Sequence, residues 1–446
     1  MSAPKGNLVV GQSGGPTAVI NQSLAGVVEE ALARLGGADL ILGARHGVEG
    51  VLREDFVDMR AQHRQTIEDV ANTASAGLGS CRFKPKEADG KNIFEVVKKN
   101  NVRYFFYIGG NDSALSAGII NNIAKDQNYD LSVFHCPKTI DNDLLVTDHC
   151  PGYGSAAKYV AQAFMGNDLD NRALPGIKID VVMGRTAGWL TAASALARVG
   201  GGDGPHMICI PERSYTIKEF VEQVEKLYNA NKRALIAVSE GICDADGNAW
   251  LQSDRIRKEL AELGMQSVAD WMDASGKIED AAGGAKLDAF GHAQLSGTGA
   301  LADLLSSVVK IHMFKQTGKK PRLRADTLGY AQRSFAGLVS ETDAAEARES
   351  GRAAVRVALT GAERSGSICF KRVPSNYGKY LCDSFCASLE DVSGVNFPKG
   401  VKQYRPMEDK FITADKFDVT PEFIEWARPL LGTLPVKGLL DFAAGK

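Results

Sequence analysis

The 446-residue chain lacks the features that mark nucleic-acid-binding, membrane and secreted proteins. Its formal net charge is −2, so no excess of basic residues favours nucleic acid or an anionic membrane surface as a partner. No apolar run reaches the roughly 18 residues that a membrane-spanning helix needs. The N-terminus has no charged stretch followed by an apolar one, which argues against a signal peptide. We therefore expect a soluble, cytoplasmic protein that binds neither nucleic acid nor a membrane.

Paired cysteines are also missing. The eight cysteines are scattered and include no CxxC pair. The two that lie nearest each other in the chain, Cys382 and Cys386, have no matching cluster of cysteine or histidine beside them. This spacing does not fit a zinc site or a disulfide framework, so free thiols in a reducing cytosol are expected.

The sequence does contain a repeated order of apolar strand, glycine-rich turn and amphipathic helix. Segments that begin as strands and run into loops are predicted at 7–12, 39–50, 103–113, 131–143, 179–185 and 233–241. Strands that alternate with helices predict a parallel, doubly wound α/β sheet. In such sheets ligands bind beyond the carboxyl ends of the strands, and the polar motifs of this chain fall at those ends.

Two glycine-rich turns have the composition of anion sites. In "GQSGGPT", Gly14 and Gly15 join a strand to the start of a helix, where backbone N–H groups and the helix dipole favour an anion. Taken alone, this turn is explained equally well as a tight turn between strand and helix that has no binding role. "GLGSCR" ends in Arg82, whose guanidinium suits phosphate oxygens. A surface arginine is the simpler interpretation of that motif by itself.

The turn "IGGNDS" combines an anion-binding pattern with a negative charge. Gly110 allows a backbone to come close to a phosphate, yet Asp112 follows two residues later. A carboxylate repels an anion, so its presence at this turn requires an explanation.

The motif "PKTIDND" is more informative than the glycine turns. Thr139, Asp141 and Asp143 alternate, so in an extended chain they project to the same side. Two carboxylates and a hydroxyl at a strand end suit Mg²⁺ together with a general base that acts on a substrate hydroxyl. The alternative is a solvated acidic turn, which the neighbouring Lys138 and the strand context disfavour.

Two further motifs follow strands. "MGR" places Gly184 and Arg185 there, and "SEG" places Glu240, for which helix capping is the default explanation. As an ordered set, however, the motifs SGGPT, GLGSCR, GGND, PKTIDND, MGR, SEG and RADTLGYAQRS closely resemble the phosphofructokinase family. The resemblance covers residues 7–335. It implies two Rossmann-like doubly wound domains, with the active site in the cleft between them.

The expected domain organisation follows the order of the motifs. Residues 1–152, with part of 331–395, are expected to form the domain that binds the phosphoryl donor and Mg²⁺. Residues 153–330 are expected to bind fructose 6-phosphate and to carry an inserted region at 242–323. Residues 396–446 are expected to form a C-terminal arm or cap.

The resemblance implies a role for each motif residue. Asp141 is expected to be the base that takes the proton from the sugar 1-hydroxyl. The other expected catalytic residues are Lys138, Asp112 and Arg185. The donor is expected at Gly14, Gly15, Arg82, Gly110, Asp112 and Lys138. The sugar is expected at Thr139, Ile140, Asp141, Met183, Gly184, Arg185 and Glu240, with Arg324, Tyr330 and Arg333 at its 6-phosphate. In the family some of these reach in from a neighbouring subunit, so a homodimer or homotetramer is expected.

The resemblance also bears on the donor and the metal. ATP-dependent members carry glycine at the position of Asp112, which leaves room for the α-phosphate of the nucleotide. An aspartate there fills that space and repels the charge, and together with Lys138 it resembles the pyrophosphate-dependent members. Mg²⁺ is the expected cofactor, with Asp143, Asn111 and Asp112 as ligands. Asn111 stands where many members have aspartate, which leaves open how the metal is held.

Three departures leave further details open. Tyr330 stands where many members have histidine, although a phenol also forms hydrogen bonds to phosphate. Gly176 stands where a further substrate arginine is expected, which leaves Arg172 and Lys178 as candidates to replace it. The segment "GHAQLSG" at 291–297 resembles a second copy of the motif RADTLGYAQRS but has leucine in place of the arginine that would bind phosphate. We therefore interpret it as a decoy, a segment that looks like the motif without binding phosphate.

These observations predict pyrophosphate-dependent, reversible phosphorylation of D-fructose 6-phosphate at the 1-hydroxyl, a step of glycolysis and gluconeogenesis. ATP as the donor is the first alternative. A non-catalytic regulatory subunit is the second, and the presence of the full set Asp141, Asp143, Lys138 and Arg185 disfavours it. A seven-carbon ketose phosphate is a third alternative, because a glycine in place of the arginine at position 176 leaves a wider pocket.

Overall fold

The computed structural model describes residues 5–276, 299–374, 379–394 and 403–439. The strands in these residues are β1 (Asn7–Gln12), β2 (Ile41–Ala44), β3 (Phe56–Asp58), β4 (Val102–Gly109), β5 (Ser132–Pro137), β6 (Ile177–Val182), β7 (Met207–Cys209), β8 (Ala234–Ser239), β9 (Leu323–Thr327), β10 (Ser365–Arg372) and β11 (Cys382–Ala387).

The α-helices in the same residues are α1 (Ile20–Arg34), α2 (Val48–Leu52), α3 (Arg64–Ala71), α4 (Glu87–Lys99), α5 (Asn111–Asp126), α6 (Tyr153–Ala173), α7 (Trp189–Ala192), α8 (Ile217–Asn231), α9 (Asp254–Glu262), α10 (Gln266–Gly276), α11 (Ala300–Thr317), α12 (Glu341–Thr360), α13 (Leu389–Ser393) and α14 (Pro421–Leu431). No helix in the described ranges is both long enough and apolar enough to span a membrane.

The chain divides into two compact units. Unit 1 comprises residues 1–156 and 333–406, and unit 2 comprises residues 157–332 and 407–446. The predicted domain bounds, 1–152 with part of 331–395, 153–330 and 396–446, and the roles of those domains stay predictions. The decoy predicted at 291–297 lies outside the described residues.

Unit 1 is built on a seven-stranded sheet in the order β11-β10-β5-β4-β1-β2-β3. The central strands are parallel, and β3 and β11 run antiparallel at the two edges. β4 is buried along almost its whole length, which explains its unbroken run of aromatic and β-branched residues.

Both faces of this sheet are covered by helices, as alternate residues of its strands show. Tyr104 and Phe106 lie in one core with residues of α1 and α12, whereas Phe105 and Tyr107 lie in the other core with residues of α4 and α5. The predicted α/β class with doubly wound parallel sheets is therefore confirmed.

Helices α1 and α12 approach closely because each presents a glycine to the other. A Cβ atom on Gly26 would overlap the carbonyl oxygen of Arg348, and one on Gly351 would overlap that of Ser23. The small residues thus set the separation of the two helices on this face of the sheet.

The strand order of unit 1 creates a topological switch point between β1 and β4, because β2 continues on one side of β1 and β4 and β5 lie on the other. Loops that leave the carboxyl ends of two such strands diverge and leave a crevice between them. The turns "GQSGGPT", "IGGNDS" and "PKTIDND" follow β1, β4 and β5, so all three lie at this end of the sheet.

Unit 2 is built on a parallel four-stranded sheet in the order β7-β8-β6-β9. Two helices of the predicted insertion, α9 and α11, contribute to the core of this unit, since Ile256, Leu260, Leu304 and Val308 belong to it. The C-terminal segment adds an aromatic cluster in which Trp426 lies 4.8 Å from Trp189, measured between ring centroids.

Candidate active site

The three loops at the switch point of unit 1 are fastened to one another by backbone hydrogen bonds. The N–H of Ser13 donates to the carbonyl of Ile108 at 2.9 Å, and the N–H of Lys138 donates to that of Gly109 at 2.8 Å. The turn that carries Arg82 is joined in the same way, because the N–H of Gly14 donates to the carbonyl of Cys81 at 2.9 Å. The anion-binding motifs predicted from sequence are therefore brought together.

Lys138 is a buried cation in this group of loops. Its ammonium donates to the carbonyl of Gly15 at 2.7 Å, and only 4% of the residue is exposed. Burial lowers the pKa of Lys138 to about 7, and the charge of Arg333 lowers it as well, while Asp141 acts in the opposite direction. Gly14 has φ of 76°, and a Cβ atom there would lie 3.1 Å from the ammonium. Glycine therefore leaves the space around this cation open.

Arg333 belongs to the same part of unit 1. Its guanidinium Nη1 lies 3.1 Å from the place that a Cβ atom on Gly15 would occupy. It also contributes to the electrostatic environment of Lys138, as does Arg82. The structure thus places Arg333 with the donor-site loops, and its predicted role at the sugar 6-phosphate stays a prediction.

Asp112 lies in the first turn of α5, the position at which a helix favours a negative charge. Its carboxylate forms an ion pair of 2.8 Å with the ammonium of Lys84. The two side chains are 39% and 45% exposed, so the pair sits at the rim of the loops and not in the core. Lys84 was not predicted, because it belongs to no motif and its pairing joins distant parts of the chain.

The carboxylates of "PKTIDND" lie deeper. Burial, and after it the charge of Asp141, raises the pKa of Asp143 well above its usual range. The amide nitrogen of Asn111 donates to Asp143 at 3.1 Å, and the N–H of Asp141 donates to the hydroxyl of Thr139 at 3.1 Å. The predicted base and the predicted metal ligands Asn111 and Asp143 are therefore neighbours.

This group of side chains fits a divalent cation. The amide oxygen of Asn111 is buried without a hydrogen-bond partner among the described residues, although it adjoins a carboxylate. A buried acceptor left unpaired and two carboxylates held together are both unfavourable in the absence of a cation. Oxygen donors of these types are the ligands that Mg²⁺ prefers.

The sugar motifs of unit 2 lie side by side at the ends of β6 and β8. The N–H of Glu240 donates to the carbonyl of Val182 at 2.8 Å, and the hydroxyl of Ser239 donates to the carbonyl of Gly184. Gly184 has φ of 140°, where a side chain would be strained. The structure therefore brings "MGR" and "SEG" together, as their place after paired strands predicts.

Arg324 lies at the other end of the same sheet. In the pairing of β9 with β6 it lies opposite Lys178, near the start of β6. Met183 follows Lys178 by five residues, and five residues span roughly 16 Å along a strand. One chain therefore does not bring Arg324 to the "MGR" motif. Tyr330 is 42% exposed. The roles of both at the sugar phosphate stay predictions, as does their contribution from a neighbouring subunit.

The candidates to replace the arginine missing at Gly176 are both held in ion pairs. Arg172 lies 3.1 Å from Asp168, and Lys178 lies 3.5 Å from Asp180. A Cβ atom on Gly176 would lie 2.6 Å from the carbonyl oxygen of Arg322, so the backbone there requires glycine.

Glycine loops, a buried lysine and paired carboxylates at the switch point of a doubly wound sheet define a class of α/β phosphoryl-transfer proteins. Comparison with known sequences identifies the family within this class. A sequence model described as phosphofructokinase matches residues 7–358. The chain belongs to the phosphofructokinase family, as its motifs indicate.

Individual relatives extend this similarity over most of the chain. It is 47% identical over 428 residues to a pyrophosphate–fructose 6-phosphate 1-phosphotransferase of Rhodospirillum rubrum, covering 96% of this chain and 95% of the relative. It is 40% identical to the protein of that name from Xanthomonas campestris, covering 80% of this chain and 77% of the relative. A solved structure of a pyrophosphate-dependent phosphofructokinase from Nitrosospira multiformis has a TM-score of 0.75 at 28% identity and covers 98% of this chain and 94% of that one.

Proposed function

We propose that this protein transfers a phosphoryl group reversibly from pyrophosphate to the 1-hydroxyl of D-fructose 6-phosphate, giving fructose 1,6-bisphosphate and phosphate. Relatives named for this activity match nearly the full length of the chain. The structural observation that carries the donor assignment is the pair of Asp112 and Lys84, 2.8 Å apart, at the first turn of α5.

The pair favours a short donor over a nucleotide for reasons of charge and space. The turn before α5 offers backbone N–H groups and the helix dipole to a phosphate. Pyrophosphate needs only two phosphate positions, whereas ATP must also place its α-phosphate and adenosine. The carboxylate of Asp112 at the first turn repels a third phosphate. The same carboxylate holds Lys84 in place and neutralises its positive charge.

The positions of the charged side chains in unit 1 support the following mechanism. Asp141 takes the proton of the 1-hydroxyl as the hydroxyl oxygen attacks the near phosphorus atom of pyrophosphate. The P–O bond to the far phosphate breaks, and Lys138 and Arg82 stabilise the negative charge of the phosphate that leaves. In the reverse direction Asp141 returns the proton to the sugar oxygen. Phosphoryl transfer depends chiefly on such positioning and charge stabilisation.

Phosphofructokinases generally use a divalent metal, and we propose Mg²⁺ held by Asp143, Asn111 and pyrophosphate oxygens. When bound, the ion neutralises the charge of the transferring phosphoryl group. The oxygen of Asn111 that has no hydrogen-bond partner among the described residues supports this assignment. Because the carboxylate of Asp112 is already paired with Lys84, we propose that its main role is to select the donor and that holding the metal is a secondary role.

Unit 2 is proposed to bind the sugar. Met183, Gly184, Arg185 and Glu240 are proposed to hold the fructose ring, because "MGR" and "SEG" lie side by side after β6 and β8. The position of Arg324 at the far end of the sheet supports a homodimer or homotetramer in which a partner supplies some of the 6-phosphate residues, Arg324 among them. All eight cysteines lie in the described residues and none forms a disulfide, which suits a cytoplasmic protein.

A paired donor assay tests the proposal. Fructose 6-phosphate is supplied with either pyrophosphate or ATP, each with and without Mg²⁺, and fructose 1,6-bisphosphate is measured. We expect turnover with pyrophosphate and Mg²⁺ and little or none with ATP. Turnover with ATP alone would establish the ATP-dependent alternative, and no turnover with either donor would favour a non-catalytic subunit.

A further inference from the structure

The backbone of residues 139–150, which we term the catalytic loop, is irregular. Asn142 has φ of 56° and Val146 has φ of 72°, a left-handed conformation that is unfavourable for a β-branched residue. Internal contacts restrain the loop, among them a hydrogen bond of 2.9 Å from the N–H of Cys150 to the amide oxygen of Asn142. A loop in such a conformation persists only where surrounding contacts stabilise it.

Several of those contacts come from a single side chain, that of Arg405. Its guanidinium donates to the carbonyl of Asn142 at 3.1 Å, to that of Thr147 at 2.9 Å and also to that of Asp148. Its backbone N–H donates to the carbonyl of Asp143 at 2.8 Å. One residue therefore holds four carbonyl groups of the catalytic loop from more than 250 positions further along the chain.

The chemistry of arginine suits this task. Its planar guanidinium carries five N–H donors in a fixed arrangement, so it bonds several carbonyls at defined positions at once. A lysine at 405 would keep the charge but would place its three donors around one atom. Arg405 lies in the last residues of unit 1, at 403–406, before the chain enters unit 2.

We infer that Arg405 is a positioning residue for the reaction, one that fixes the backbone on which Asp141 and Asp143 stand. The inference rests on the proposed function. Two of the carbonyls that Arg405 holds belong to residue 142, which adjoins both Asp141 and Asp143, and to residue 143 itself. The other two belong to residues 147 and 148, at the far side of the loop. Replacing its side chain removes the guanidinium contacts to residues 142, 147 and 148 and leaves only the backbone bond to residue 143. The base is then no longer held at the distance from the 1-hydroxyl that proton transfer requires.

Arg60 provides a matched control within the same unit. Its guanidinium also donates to backbone carbonyls, those of Asp39 at 2.7 Å, Gly36 at 2.7 Å and Leu35 at 3.3 Å. These carbonyls follow the end of α1 and belong to none of the candidate site residues. Arg60→Ala therefore reports the cost to folding of losing such an arginine, without loosening the catalytic loop.

The test compares Arg405→Ala with Arg60→Ala in the full-length protein. For Arg405→Ala we expect kcat with pyrophosphate to fall by about 10- to 100-fold, because small displacements of a reacting group have effects of this size. The KM values for both substrates should change by no more than about three-fold, since the substrate contacts that lie outside the catalytic loop are retained. Guanidinium ion should restore part of kcat, and methylammonium, which lacks the planar arrangement of donors, should not.

Hydrogen exchange of the peptide that spans 139–150 provides a readout that does not need activity. We expect faster exchange there in Arg405→Ala and wild-type exchange in Arg60→Ala. Wild-type kcat and exchange in Arg405→Ala would overturn the inference, and so would an equal loss of kcat in the two variants. If the wild-type protein has no activity with pyrophosphate, the proposed function fails, and hydrogen exchange still decides whether Arg405 holds the loop.

Arg405→Lys serves if the alanine variant does not fold. It keeps the positive charge and the aliphatic stem but loses the arrangement of donors. The same faster exchange at 139–150 and a smaller loss of kcat are expected. Wild-type values of both in this variant would overturn the inference.

Discussion

Replacing Asp112 by glycine should open the donor site to ATP. The change removes a carboxylate from the first turn of α5 and releases Lys84 from its 2.8 Å ion pair. A negative charge that would face the α-phosphate is thereby removed, and a positive charge becomes available to meet it. We therefore expect Asp112→Gly to gain activity with ATP and to keep part of its activity with pyrophosphate.

The size of the gain follows from the charges. Two unit charges about 6 Å apart interact by about 1.4 kcal/mol at an effective dielectric constant of about 40, a value between those of a protein surface and of water. Because the side chain of Asp112 is 39% exposed, a smaller dielectric constant is not justified. About 1.4 kcal/mol corresponds to a ten-fold change, so kcat/KM for ATP should rise about ten-fold or more.

The assay measures kcat/KM for both donors in Asp112→Gly, in Asp112→Asn and in Asp112→Gly combined with Lys84→Ala. Asparagine removes the charge but keeps the size, so it separates repulsion from lack of space. The double variant should lose most of the ATP activity that the single variant gains, because Lys84 is the cation that the single change releases. Thermal unfolding serves as the control for folding, since loss of a first-turn aspartate costs about 0.3–1 kcal/mol.

An Asp112→Gly protein that is folded and active with pyrophosphate but shows no gain with ATP would refute this reasoning. A gain that is equal with and without Lys84 would refute the part assigned to the ion pair.

Three further predictions concern the base, the buried lysine and the packing of unit 1. Asp141→Asn should lower kcat by about 10²- to 10⁴-fold, the usual contribution of a general base, with circular dichroism unchanged. Since the pKa of Lys138 is about 7, its positive charge is lost as pH rises through 7. The value of kcat/KM for pyrophosphate should therefore decline above that pH. Lys138→Arg, which stays charged, should abolish the decline. Gly26→Ala should destabilise the protein by about 1–3 kcal/mol in urea unfolding, because the new methyl group overlaps the carbonyl of Arg348. Its control, Gly118→Ala in α5, meets nothing within 4 Å and should be neutral or stabilising by up to about 1 kcal/mol.

Much of the site could be predicted from sequence because its residues follow strands directly. Hydrophobic runs indicate where strands end, and parallel strands bring their carboxyl ends to one edge. Gly15, Lys138 and Glu240 follow the ends of β1, β5 and β8, as this pattern predicts, and the order of the motifs indicates the family. Each of these positions depends on local structure and on the strand order of a doubly wound sheet.

Contacts between distant segments could not be predicted from such patterns. Lys84 belongs to no motif, and its pairing with Asp112 depends on how one loop folds over another. Arg405 lies in a segment that was expected to be an arm or cap, yet it bonds to a loop 263 residues earlier. No periodicity or spacing connects such positions, so only a three-dimensional structure reveals them.

The most direct test of the proposed activity is the reverse reaction followed by ³¹P NMR. The protein is incubated with fructose 1,6-bisphosphate, inorganic phosphate and Mg²⁺ in the complete absence of nucleotide. We predict that the pyrophosphate resonance appears as the 1-phosphate resonance declines, until a mixture of both sides of the reaction is reached. No pyrophosphate under these conditions, together with formation of ATP when ADP is added, would contradict the proposal.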